Sequence, residues 1–169
     1  MNLSTISVSN LMNPNVKTVN EDKNIMSACR VMNENKIGCV IVVTIAGDGI
    51  PVGMITERDV VGILSKFNPA LLHFALWKLM SKPLITVEPA ASINDAIKLM
   101  NEKKIRRLVV VDRNNKMIGI LTQKDIFEII EKNPSLLAEF YGDNFSPSFG
   151  EIYDRFSQYR FENLVPDLL

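Results

Sequence analysis

A single histidine and two cysteines leave this 169-residue chain short of the usual equipment for metal and nucleophilic chemistry. With His73 alone, neither a histidine-based metal cluster nor a Ser/His/Asp triad can be assembled. Cys29 and Cys39 sit among apolar neighbours without the C-x-x-C spacing of a zinc or redox site, and they read as reduced core thiols. No nucleophile–base pair stands out either, so an enzyme is the weakest reading. An excess of one charge is also missing: Lys+Arg and Asp+Glu number 19 each. A dedicated polyanion binder needs a net basic face for counterion release, which disfavours nucleic acid as a partner. Lys103-Lys104 with Arg106-Arg107 is the only notable basic run. No stretch reaches the length of a membrane span, and the N-terminus lacks a basic-then-apolar leader pattern. The expectation is a cytoplasmic protein with no membrane partner.

What is present is an internal duplication. Leu11-Met12 opens the first unit and Leu79-Met80 the second. Lys17-Thr18-Val19 matches Ile85-Thr86-Val87 as a short strand. Asn24 caps a helix with Ile25, Ala28, Cys29 and Met32 inward, and Ser92 caps one with Ile93, Ala96, Ile97 and Met100 at the same spacing. Gly38 is expected to end the first of these helices. The β-branched runs Cys39 to Val43 and Leu108 to Val111 then read as buried strands. Turns at Gly47-Asp48-Gly49 and at Arg113 to Lys116 lead to a second strand and helix in each unit. The fold class is α/β (α+β): tandem β-α-β-β-α repeats packed about a pseudo-twofold axis, with an extra C-terminal tail. Each repeat has only about fifty residues, too few for a comfortable core, so the two must bury sheet faces against each other. The expected bounds are 8–66 for the first repeat, 67–78 for a connecting helix started by Asn68-Pro69, and 79–132 for the second repeat. Residues 1–10 read as a short arm or edge element, and 133–169 as an aromatic-rich extension that packs on the body, a second copy or a partner.

The most informative stretches are Gly53-Met54-Ile55-Thr56-Glu57-Arg58-Asp59 and Gly119-Ile120-Leu121-Thr122-Gln123-Lys124-Asp125. Each is a strand running into a helix whose free N–H groups and dipole favour an anion such as phosphate. An Asp one turn in is placed to reach a sugar hydroxyl. The same Thr-x-x-Asp is close to a capping box, in which Thr and Asp satisfy their own helix. Capping and ligand binding can coexist, because the hydroxyl faces the helix terminus in both.

With these paired motifs in view, residues 8–132 resemble a tandem pair of CBS domains, a Bateman module. The resemblance implies a regulatory module whose clefts bind adenosyl ligands: AMP, ADP or ATP, S-adenosylmethionine, or NAD-type molecules. It implies one cleft joining Ile85, Arg106 and Arg107 to Thr56, Arg58 and Asp59. The other would join Lys17, Gly38 and Cys39 to Thr122, Lys124 and Asp125. In each, Thr would bond phosphate and Asp the ribose hydroxyls. The family often has proline in the apolar strand after the basic pair, where this chain has Val109. It also implies a flat homodimer formed through helices.

Arginine forks suit phosphate oxygens, so adenine nucleotides are expected mainly at the arginine-bearing cleft. No cofactor beyond such a ligand is expected, and a protein target is left unnamed. The competing reading is an interaction module, working through dimerisation and the aromatic tail, with vestigial or S-adenosylmethionine-binding clefts.

Overall fold

The computed structural model describes residues 3–46, 49–133 and 136. The aromatic extension beyond Asn133, Leu136 excepted, and Gly47-Asp48 of the first turn lie outside them. A short helix α1 (Val8–Leu11) is followed by β1 (Thr18–Asn20), α2 (Ile25–Asn35), β2 (Cys39–Val43), β3 (Pro51–Thr56) and α3 (Glu57–Leu64). The second repeat supplies β4 (Thr86–Val87), α4 (Ile93–Lys103), β5 (Arg107–Val111), β6 (Met117–Thr122) and α5 (Gln123–Lys132). The strands form two three-stranded sheets, β1-β2-β3 and β4-β5-β6. In each, the first pair is parallel across a helical crossover and the second is an antiparallel hairpin.

The first crossover helix stops at Lys36, two residues before Gly38, and the second stops at the equivalent Lys104. Lys36 (φ 52°) and Lys104 (φ 53°) take the left-handed conformation at equivalent places. Ile37 and Ile105 then return their N–H groups to Met32 and Met100, the pairing of a Schellman stop. Gly38 therefore lies beyond the end of α2 and serves something else.

The continuous apolar runs of β2 and β5 follow from burial on both faces. Val40 and Val42 pack with Ile25, Ala28 and Ile55 under the helices of the first repeat. Leu108, Val110 and Leu121 do the same in the second. The alternate residues Ile41, Val43, Val109, Val111 and Ile120 meet in a third cluster that joins the two sheets. Burying each such side chain is worth roughly 1.5–3 kcal/mol. That seam is the pseudo-twofold contact the duplication requires.

The arms that precede each repeat cross to the other one. Leu3, Ile6 and Val8 are buried in the core of the second repeat. Val8 N–H donates to the Ala91 carbonyl at 2.8 Å, and Ile93 N–H donates to the Ile6 carbonyl at 2.9 Å. Leu76 mirrors this, entering the first repeat's core and donating its N–H to the Lys23 carbonyl at 2.7 Å. The expected connecting helix over 67–78 is accordingly not formed. Two 3-10 turns, Pro69–His73 and Leu76–Lys78, take its place. The Leu76 and Trp77 N–H groups are spent on Lys23 and Glu21, so they cannot continue a helix.

Candidate functional site

Each arm ends by pairing with the far sheet beside a helix N-terminus. Asn13 exchanges both backbone bonds with Ile120, and Ser81 exchanges both with Met54. The glycines that open the two signature stretches make room for this. A Cβ on Gly53 would collide with the Met80 side chain, and one on Gly119 would lie 2.6 Å from Met12 Sδ. The repeated Leu-Met and the repeated glycine are thus two halves of one contact.

At the end of the same strands, Thr56 and Thr122 cap α3 and α5 with the same set of bonds. Asp59 Oδ2 accepts from Thr56 N–H at 2.8 Å and from the Thr56 hydroxyl at 2.7 Å. Asp125 Oδ2 accepts the same two bonds from Thr122, each at 2.7 Å. The Asp N–H groups return to the Thr oxygens at 3.3 Å. Both motifs are capping boxes, each at a helix N-terminus whose dipole favours an anion. All four side chains are only partly buried, so a ligand can approach them.

The basic and glycine positions sit directly beside these caps. Glu57 N–H donates to the Gly38 carbonyl at 3.2 Å, and Gln123 N–H donates to the Arg106 carbonyl at 3.0 Å. Cys39 pairs in register with Thr56, and Arg107 with Thr122. The Arg107 side chain then crosses the seam: its Nη2 lies 3.4 Å from where a Cβ on Gly38 would stand, with Glu57 Oε2 at 2.9 Å from the same point. Gly38 thus keeps a gap open between a carboxylate and a guanidinium from opposite repeats. Burial pushes the Cys39 thiol up from its ordinary value; Arg107 pulls it down by less, and Glu57 adds a push upward.

Backbone pairing adds a neighbour from the same repeat to each expected donor set. Gly38 and Cys39, expected with Thr122, have backbones that border Thr56. The backbones of Arg106 and Arg107, expected with Thr56, border Thr122. The Arg107 side chain reaches across to the Gly38–Glu57 end of the first repeat, beside Thr56. The reason is local: the residues before each middle strand are tied by hydrogen bonds to the helix start of their own repeat. Lys124 does not turn to a cleft, since its Nζ pairs with Glu128 Oε1 at 3.6 Å on the exposed face of α5. Arg58 is exposed on the first turn of α3. Ile85 and Lys17 offer backbone carbonyls to Val109 and Ile41 at 3.3 and 3.1 Å, so they brace the strands that bear the site. Glu57 and Ser81 were missed in the sequence. For Glu57 the available signal was its replacement by Gln123 in the other repeat.

A family model described as the CBS domain matches residues 8–66 and again 76–132. The chain belongs to the CBS domain family. This CBS pair is 37% identical over 129 residues to the uncharacterized protein MK0525 of Methanopyrus kandleri. The match covers 75% of this chain and 64% of that one, so the chain spans less than two thirds of its relative. Among solved structures it is similar to CBSX2 in complex with AMP, with a TM-score of 0.66 at 26% identity, over 75% of this chain and 96% of that one. The CBS domain pair of protein MJ0100, solved with 5′-methylthioadenosine and S-adenosylmethionine, agrees in fold, with a TM-score of 0.67 at 21% identity. That match covers 75% of this chain and 97% of the other. No helix among the described residues is long and apolar enough to cross a membrane.

Proposed function

We propose that this CBS pair is a regulatory module that senses an adenine nucleotide of the AMP, ADP or ATP type at the seam between its repeats. The observation that carries the reading is the duplicated cap: two helix N-termini, each with a partly exposed Thr–Asp pair, lie next to arginine or a glycine gap. The AMP-bound relative of the same fold supports the choice of ligand. In this reading the helix termini and the Arg106-Arg107 guanidinium groups receive phosphate. The Asp59 and Asp125 carboxylates receive ribose hydroxyls, and the β-strand edges at Lys17 and Ile85 flank the base.

Regulation follows only from differential binding. A ligand that touches both repeats favours the relative arrangement in which its contacts are best, and shifts the protein toward it by that difference. The module contributes binding rather than bond-making, and its target is reached through the shape of the seam. Isothermal titration with AMP, ADP and ATP tests the proposal. Saturable binding, weakened at least tenfold by the double change Asp59→Ala with Asp125→Ala, is expected. Binding that survives both changes, or none by the native chain, overturns it.

A further inference from the structure

The two caps have the same internal bonds but different third partners, so one half serves as a control for the other. Ser81 Oγ donates to Asp59 Oδ1 at 3.1 Å, reaching from the arm of the second repeat to the helix of the first. The matching residue at the other seam is Asn13. Its backbone makes the same exchange, yet its side-chain Oδ1 accepts the Asn15 N–H at 2.8 Å. The difference is written two residues on. Asn15 carries an N–H and so closes an Asx-type turn on Asn13. The corresponding residue is Pro83, which has no N–H to give, and the Ser81 hydroxyl turns to Asp59 instead.

A carboxylate offers about four acceptor positions. Asp59 has three filled, two by Thr56 and one by Ser81. Asp125 has two filled, both on Oδ2, and among the described residues its Oδ1 accepts nothing. A vicinal diol that donates both hydroxyls to one carboxylate needs two open positions. Asp125 has them as it stands. Asp59 gains them only when Ser81 lets go. The Arg107 backbone pairs with Thr122 while its guanidinium reaches the Gly38–Glu57 side, so the ranking of the two seams rests on the carboxylates.

We propose that Ser81 is a selector: by holding Asp59 it makes the two seams unequal and sends a ligand with a vicinal diol to Asp125 first. Ser81 acts here as a positioning residue, through Asp59. The inference rests on the nucleotide-sensing reading above and deepens it by ranking the two sites.

The test titrates the full chain with AMP, first native and then in an Asp125→Asn background that leaves only the Asp59 seam. The native chain is expected to show a tighter and a weaker site, with Asp125→Asn removing the tighter. Adding Ser81→Ala to that background should tighten the remaining site about 3- to 10-fold, the range for freeing one hydrogen-bonded acceptor. Ser81→Thr, which keeps the hydroxyl, should leave it unchanged. A purely structural Ser81 gives the opposite result, because loss of its bond would lower the melting temperature and weaken binding together. Two equal native sites, or no change on Ser81→Ala in the Asp125→Asn background, would overturn the selector while leaving the sensing role intact. No AMP binding by any form would overturn both.

Discussion

The close approach of each arm methionine to the opposite repeat makes Gly119→Ala a sharp probe of the seam. In an ordinary strand, alanine in place of glycine is favourable by roughly 0.5–1 kcal/mol, because it restricts the unfolded chain. Here the added methyl carbon would stand 2.6 Å from Met12 Sδ, 3.0 Å from Met12 Cγ and 3.3 Å from the Asn13 carbonyl oxygen. The first two are well inside the roughly 3.5–4.0 Å of a comfortable nonbonded contact. Methionine can swing away, but the Asn13 carbonyl is held by the Ile120 N–H at 3.0 Å. Overpacking of this kind costs about 1–3 kcal/mol, which outweighs the entropic gain. Urea or thermal unfolding followed by circular dichroism should therefore show a net loss of about 1–2 kcal/mol, or roughly 2–8 °C for a chain of this size. Met12→Ala combined with Gly119→Ala should recover part of the loss, giving a non-additive cycle. A neutral or stabilising Gly119→Ala, with strictly additive effects, would refute the contact and with it the swapped arms.

Two further outcomes follow from the seam and the outer helices. The Cys39 thiol, raised chiefly by burial, is neutral in the fold. Its contribution to stability is therefore present below the ordinary thiol range and is lost as pH rises through the raised folded value. Glu57→Gln should bring its pKa down and speed iodoacetamide labelling at mildly alkaline pH, whereas Arg107→Gln should slow it. Equal labelling rates in both variants would remove these groups from contact with Cys39. On the outside, Val61 and Leu64 of α3 are 65% and 55% exposed and one helical turn apart. If two copies pair through their helices, as the family resemblance implies, and α3 is one of them, Val61→Glu with Leu64→Glu should halve the mass seen by light scattering. A native chain that already has the mass of one copy contradicts the pairing.

Much of the architecture was legible because it is written at short range. The duplication, the strand and helix order, the Asn24 and Ser92 caps and both Thr–Asp boxes depend on spacings of a few residues, which the sequence displays directly. Even the double burial of β2 and β5 shows as unbroken apolar runs. Less legible was anything whose cause lies in another repeat. Gly38 looked like a helix stop, because glycine is the commonest one, but Lys36 stops the helix and Gly38 clears space for Arg107 and Glu57. Asn68-Pro69 does start a helical turn, with Asn68 as its cap, but that 3-10 turn stops at His73; the Leu76 and Trp77 N–H groups a longer helix would use go to Lys23 and Glu21.

By itself, then, the sequence determined that there are two alike halves, which elements each contains, and that each ends in a capped helix carrying Thr and Asp. Only the tertiary structure decided which half each arm serves, that Arg107 reaches over Gly38, and that Ser81 holds Asp59 while Asn13 leaves Asp125 alone. The division is physical. Caps and periodicity are satisfied by neighbours along the chain. A seam is settled by groups tens of residues apart competing for the same few donors and the same small space.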